Sequence, residues 1–176
     1  SGVNASKVTV TVPTQLVPYF KVRDYGDGMS EPFVMELFSS YGFSDKRNTN
    51  ADIGGFGIGS KSGFAYTDSF TVRSFHQGIV STYECTKSKE GKFVISLRGS
   101  KDTNETGTEI IIPVKYSDFT SFRKYIEWYS SFLSYFRGVD IEGTTKLIEI
   151  TKTGDLYEYS YASERHSFLI VMGGIP

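Results

Sequence analysis

At 176 residues the chain is about one domain by length and large enough to bury a core. Its 19 Lys and Arg against 20 Asp and Glu leave a formal charge of -1 and a pI near 6.1, so no global field draws it to nucleic acid or to an anionic membrane. Any anion site must be local. One cysteine, Cys85, excludes an intrachain disulfide. The longest apolar run, FLIVM at 168–172, falls far short of the roughly 20 residues that span a bilayer. The opening SGVNASK carries no apolar signal-peptide core, which makes cytosol the expected address.

In chain order, KVTVTV (7–12) alternates at period two and predicts a strand; residues 15–25 predict a second, with Pro18 marking an edge or bulge, and the pair reads as a hairpin. Ser30 is a good N-cap. Glu31 and Pro32 follow in the first turn, and Phe33, Val34, Leu37, Phe38 and Tyr41 recur at helical spacing up to a stop at Gly42. Residues 44–52, SDKRNTNAD, are polar and turn-forming, a surface loop placed to act as a lid beside a glycine run. SKSGFAYT starts a short helix. FTVRSFHQG, IVSTYECTK and KFVISLRG then predict an antiparallel meander punctuated by Gly78 and by Glu90-Gly91, with Cys85 a small buried side chain within it. TNETG is a turn and GTEIIIPV a further strand. From Ser117 to Phe136 an aromatic stripe (Phe119, Phe122, Tyr125, Ile126, Tyr129, Phe132) predicts a helix with that stripe in the core. Two β-like stretches, KLIEIT and LYEYSYA, precede the apolar FLIVMGGIP. The sum is one α+β domain over 1–176, built on a largely antiparallel sheet with a few helices.

The glycine run GGFGIGSKS (54–62) has the composition of a phosphate cradle. A P-loop needs G-x-x-x-x-G-K-[ST], but Ser60 follows Gly59 and Lys61 arrives one position late. A Rossmann turn needs its glycines between a buried strand and a helix, whereas Gly54 follows a polar loop and the spacing is G-x-x-G-x-G. What remains is a run that closes a polar loop and opens a helix at about Gly57 to Ser60, where backbone N–H groups face an anion and Lys61 adds a point charge. Alone, it reads equally as an ordinary flexible connector.

A second signal lies upstream in VRDYGDGM (22–29), an acidic residue at a strand end followed by two glycines. Asp24-x-Gly26-x-Gly28, then Gly54-x-x-Gly57-x-Gly59, then Gly107-Thr108 before a strand, follow the motif order of the GHKL superfamily of gyrase B subunits, MutL proteins, histidine kinases and heat-shock chaperones, which the chain resembles over residues 7 to about 114. Within it, SSYGFSDK with GGFGIGSKSG looks like the microrchidia (MORC) ATPases, and VRDYGDGMS with IGGFGIGSKSGFAYTDSFTV resembles the bacteriophage rIIA family, protectors from prophage-induced early lysis.

The resemblance implies a two-layer α/β sandwich of the Bergerat type, a mixed, largely antiparallel sheet with helices on one face. It also implies an ATP site. Asp24 holds the place of the aspartate that accepts a hydrogen bond from the adenine amino group, although in DYGDG alone it reads as a turn cap. Gly26 and Gly28 permit close approach of the base, Met29 resembles the apolar wall beneath it, and Thr108 matches the threonine supporting the aspartate. Plain core and an ordinary strand residue are the alternatives for Met29 and Thr108. Gly54, Gly55, Gly57, Gly59 and Ser60 correspond to the lid and the phosphate-binding helix start, and Lys61 to a lysine near the terminal phosphate; Lys46 is a second candidate for that role, against a solvated surface lysine. His76 and His166 lack metal-ligand spacing, and no protein metal site is indicated.

One element departs from the family. Its members carry before the first strand a helix with E-x-x-x-N, the glutamate activating water and the asparagine holding Mg²⁺. Asn4-Ala5 only echoes it, lying four residues before Val8 with no glutamate ahead. The sequence alone suggests a fragment, or Ser1-Gly2 left by cloning, and predicts negligible turnover by this chain. Mg²⁺ is then expected on the nucleotide. The expected partners are ATP or ADP together with a second copy or a phage or host protein, in host cytoplasm or at the periphery of the inner membrane, nucleotide acting as a switch for association. A degenerate scaffold serving as an interaction or membrane-associated module is the other class of reading, and scattered Lys and Arg give a DNA-handling role no basic patch.

Overall fold

A computed structural model describes residues 7–39, 59–137, 139–143, 149–153, 156–160 and 167–169, with backbone alone at 39, 59–61, 129–137 and across the last three of those ranges. Seven strands order as β5-β4-β3-β6-β2-β1-β7 in a mixed, mostly antiparallel sheet, and three more form a second sheet ordered β10-β9-β8. The α+β class expected from the sequence is the one observed. The chain divides into two compact units, residues 23–113 and residues 1–22 with 114–176.

The 23–113 unit is built on β3 (Ser69–His76), β4 (Ile79–Lys87) and β5 (Phe93–Asp102), the antiparallel meander. Gln77 and Gly78, both at positive φ (50° and 80°), make the two-residue turn between β3 and β4. Such a turn matches the twist of the strands it joins. Strand β6 (Gly107–Pro113) returns along the other edge of β3, antiparallel, with Phe75 opposite Gly107 and Ser74 opposite Thr108. Alternation sends Phe70, Val72, Tyr83, Cys85 and Ile95 to one face, where all are buried.

Helix α1 (Glu31–Ser39) places Val34 and Phe38, four residues apart, in the same core. The Val34 amide donates to the Ser30 carbonyl at 3.0 Å, as expected if Ser30 caps the helix. Phe38 meets Phe70 edge-on at 6.2 Å. Phe64, from a 3₁₀ helix over Gly59–Ala65, meets Phe70 at 4.7 Å and stacks on Phe93 at 4.7 Å. Full burial of Phe38 and Phe70 contributes about 1.5–3 kcal/mol each, and the half-buried Phe64 and Phe93 contribute less. The expected end of α1 at Tyr41 and Gly42, and the lid at 44–52, lie outside the described residues.

Cys85 is the buried small residue the alternation predicts. Burial pushes its thiol from 9.0 up to about 12. The folded state therefore holds the thiol protonated where the unfolded chain ionises it, and the stability this represents, complete below pH 9, is lost as pH rises from 9 toward 12. An aromatic disulfide reagent at pH 8 is expected to leave Cys85 unlabelled in native protein and to label it stoichiometrically in urea. Fast native labelling would contradict its place in the core.

In the other unit, β1 (Val8–Thr11) runs parallel to β7 (Val139–Glu142), with Val8 opposite Val139. Strand β2 (Tyr19–Asp24), whose last two residues belong to the 23–113 unit, begins after Pro18, because residues 14–17 close a turn in which Thr14 and Val17 exchange backbone hydrogen bonds. Helix α2 (Phe119–Arg137) follows a 3₁₀ turn at Tyr116–Asp118. The expectation that its whole aromatic stripe is core needs correcting. Phe119 is buried and Phe122 lies 5.8 Å from Phe20, but Tyr125 is 63 % exposed while Glu127 is buried. At 3.6 residues per turn Tyr125 lies roughly 120° round from Phe119, outside the arc that holds Ile126 and Glu127. Tyr129 and Phe132 have no described side chains. Strands β8 (Glu149–Thr153), β9 (Leu156–Ser160) and β10 (Ser167–Leu169) form the antiparallel second sheet. Among the described residues no helix is long and apolar enough to cross a membrane.

Candidate functional site

Strand β2 delivers Asp24 to the point where the chain turns into DYGDGM. Asp24 Oδ1 accepts the Gly26 amide at 3.0 Å, closing an Asx turn, and the Thr108 amide at 3.1 Å, from the first residues of β6. Both donors act on one oxygen. Oδ2 of this half-buried side chain takes no hydrogen bond from the described residues. Among the described residues the carboxylate is thus oriented by main chain through one oxygen, with the other accepting nothing.

The loop that follows is tied at two further points. His76 Nδ1 lies 2.9 Å from the Asp27 carbonyl. Ser74, 1 % exposed, donates its hydroxyl to the Met29 carbonyl at 2.7 Å and accepts the Met29 amide at 2.7 Å, so one side chain satisfies both backbone groups of Met29 just before α1. Gly28 sits at φ 72°, where a Cβ would lie 2.2 Å from the Phe75 carbonyl oxygen. No side chain fits there. Ser74→Ala is expected to cost about 1–3 kcal/mol, because two part-buried main-chain groups lose their partner at once. Urea unfolding checks this, and a cost below about 0.5 kcal/mol would mean that water replaces the hydroxyl freely.

Of the residues singled out in the sequence, the structure brings together Asp24, Gly26, Gly28, Met29 and Thr108 at the ends of β2 and β6 and over β3. The bond Thr108 makes to Asp24 comes from its amide, so the contact does not depend on the hydroxyl. Gly59, Ser60 and Lys61 lie at the start of the 3₁₀ helix, with no described side chains. Lys46, Gly54, Gly55 and Gly57 fall outside the described residues, as does His166. Among the described residues no group of three or more His, Cys, Asp or Glu is placed to hold a metal.

Sequence reasoning missed Arg23, Ser74 and the cluster around Phe75. Arg23, 4 % exposed, donates through Nη2 to the Thr106 carbonyl at 2.8 Å and to Glu105 at 3.1 Å. Its guanidinium lies 3.5 Å from the Phe75 ring centroid, and Arg73 approaches the same ring at 5.0 Å while pairing with buried Glu109 at 2.9 Å. The available signal was a charged residue at an alternating strand position beside the motif aspartate. Tyr83 is fully buried on the opposite face, and burial pushes its phenol above the ordinary range.

A β-strand ending in a main-chain-oriented aspartate, followed by a glycine turn and a helix, and closed by a second strand whose amide reaches that aspartate, defines a nucleotide-binding domain of the GHKL class. The chain belongs to the family described as histidine kinase-, DNA gyrase B-, and HSP90-like ATPase, which it matches over residues 3–108, more than half its length. Comparison with curated proteins returns no match.

Proposed function

We propose that this domain binds ATP with the adenine amino group on Asp24, and that the nucleotide acts as a switch for association. The observation that carries the reading is the division of labour in the Asp24 carboxylate: Oδ1 is held by two backbone donors, while Oδ2 takes no bond from the described residues and in this reading accepts from the ligand. A carboxylate accepts from an exocyclic amine and cannot donate to the carbonyl that guanine presents instead. Gly28 and Gly107, neither with space for a Cβ, keep the surrounding loops pressed onto β3 and β2. Met29, fixed by Ser74, supplies the apolar neighbour. The run from Gly54 to Lys61, with Lys46, is assigned to the phosphates, and Mg²⁺ enters on the nucleotide. Closure of that segment over the triphosphate is the step coupled to a partner, either a second copy or a phage or host protein.

The finer proposal is a rIIA-like protein of bacteriophage acting in lysis control in host cytoplasm, resting on the likeness of VRDYGDGMS and of the glycine segment. Calorimetric titration with ATP and GTP, with and without Mg²⁺, tests the nucleotide reading. Adenine-selective binding is the expected result. A folded chain that binds neither nucleotide would favour the degenerate scaffold, in which Asp24 serves only as a turn cap.

A further inference from the structure

The face of the sheet turned away from α1 holds a feature that nucleotide binding by itself does not call for. Arg23 and Asp24 are consecutive in β2, so their side chains project to opposite faces. Both nevertheless reach the same short segment of chain. Arg23 Nη2 holds the Thr106 carbonyl at 2.8 Å and the Glu105 carboxylate at 3.1 Å; Asp24 Oδ1 holds the Thr108 amide at 3.1 Å. Between them lies Gly107, at φ 108°, where a Cβ would come within 2.2 Å of the Asp24 carbonyl oxygen. The segment 105–108 is therefore gripped from both faces of β2 and seated directly on its backbone.

Burial makes the arginine an expensive choice for mere cohesion. It is 4 % exposed, its Nη1 is buried with no hydrogen-bond partner, and its acidic partner Glu105 is largely in solvent, so desolvation is poorly offset. What the guanidinium contributes is geometry: stacking 3.5 Å from the Phe75 centroid fixes its plane and with it the directions of the two Nη2 N–H bonds, which a freely rotating ammonium would not hold. We propose that Arg23 is a positioning residue for base recognition, which holds Glu105 and Thr106 so that the Thr108 amide occupies one oxygen of Asp24 and leaves the other aligned for the adenine amine. This rests on the ATP-binding reading.

The test compares wild type with Arg23→Lys, which keeps the charge and loses the stacked plane, and with Glu105→Gln, whose exposed position spares the fold. Binding of ATP and of purine riboside triphosphate, the analogue lacking the exocyclic amine, is measured by calorimetry. Amide hydrogen exchange at Thr108 and at the β3 core residue Val72 is followed by NMR without nucleotide. Arg23→Lys is expected to reduce the preference for ATP over the analogue roughly fivefold to tenfold, with Glu105→Gln about twofold to threefold, while analogue affinity stays within about twofold of wild type. Thr108 exchange should accelerate at least about tenfold in Arg23→Lys with Val72 unchanged.

Equal loss of both ligands, or equal acceleration at Thr108 and Val72, would reduce Arg23 to a general stabiliser and overturn the proposal. Unchanged preference with unchanged Thr108 exchange would overturn it outright. Wild type without preference for ATP would instead remove the nucleotide reading, and the role assigned to Arg23 with it. Selective acceleration at Thr108 would then still show that Arg23 holds the segment, separating the two failures.

Discussion

Replacing Gly107 by alanine is expected to destabilise the domain by about 3 kcal/mol or more, enough to move a urea midpoint by roughly 1–3 M at ordinary m-values. Two effects add. The residue sits at φ 108°, a region L side chains rarely adopt. Its Cβ would also lie 2.2 Å from the Asp24 carbonyl oxygen and 2.8 Å from the Tyr25 Cα, both main chain, so no rotamer change relieves the contact. The Thr108 amide must then move off Asp24, and the start of β6 moves with it. Gly91 separates the two effects, because it has φ 78° with nothing within 4 Å. Gly91→Ala should show conformational strain alone, about 1 kcal/mol. Equal shifts at the two positions would mean that the close seating of residue 107 on β2 contributes nothing.

Much of this fold is legible in the residues, and the gaps have physical causes. The meander was readable because FTVRSFH, IVSTYECT and KFVISLRG are rich in β-branched and aromatic residues and are separated by glycines that the turns use. Strand β7 was not, since VDIE has four residues, too few for a period, and its parallel partner β1 lies far away in sequence. The α2 stripe was read with the correct helix and too wide a buried face, because spacing gives a helix's period more securely than its phase: Tyr125 faces out and Glu127 in. In the site, the glycines of DYGDGM signalled a backbone that must approach something closely, which for Gly28 is the Phe75 carbonyl. Ser74 and Arg23 carried no such signal. Their importance comes from what lies across the sheet, Met29 in one case and Glu105 with Thr106 in the other, separations of 45, 82 and 83 residues that no local pattern encodes.

Asp24→Asn is expected to lower ATP affinity roughly 100-fold while leaving the fold intact. The change keeps the side chain's size and one carbonyl oxygen, and the orientation of the new amide is decided by the main chain. The Gly26 and Thr108 amides both donate to the Oδ1 position, so the amide oxygen must stay there and the NH₂ must take the place of Oδ2. Turning it over would set one donor against two. The group facing the base then becomes a donor opposed to the adenine amine, and the accepting role is lost. For guanine the sign reverses, because its carbonyl can accept from that NH₂. GTP affinity should therefore hold or rise as ATP affinity falls, and the ratio of the two carries the inference free of any general loss of stability. Because both Oδ1 bonds survive, the thermal midpoint should move by no more than a few degrees. A parallel fall for both nucleotides would point to a disturbed loop. Unchanged ATP affinity would mean that Asp24 only caps its turn, leaving the histidine kinase-, gyrase B- and HSP90-like framework without its base-reading contact in this chain.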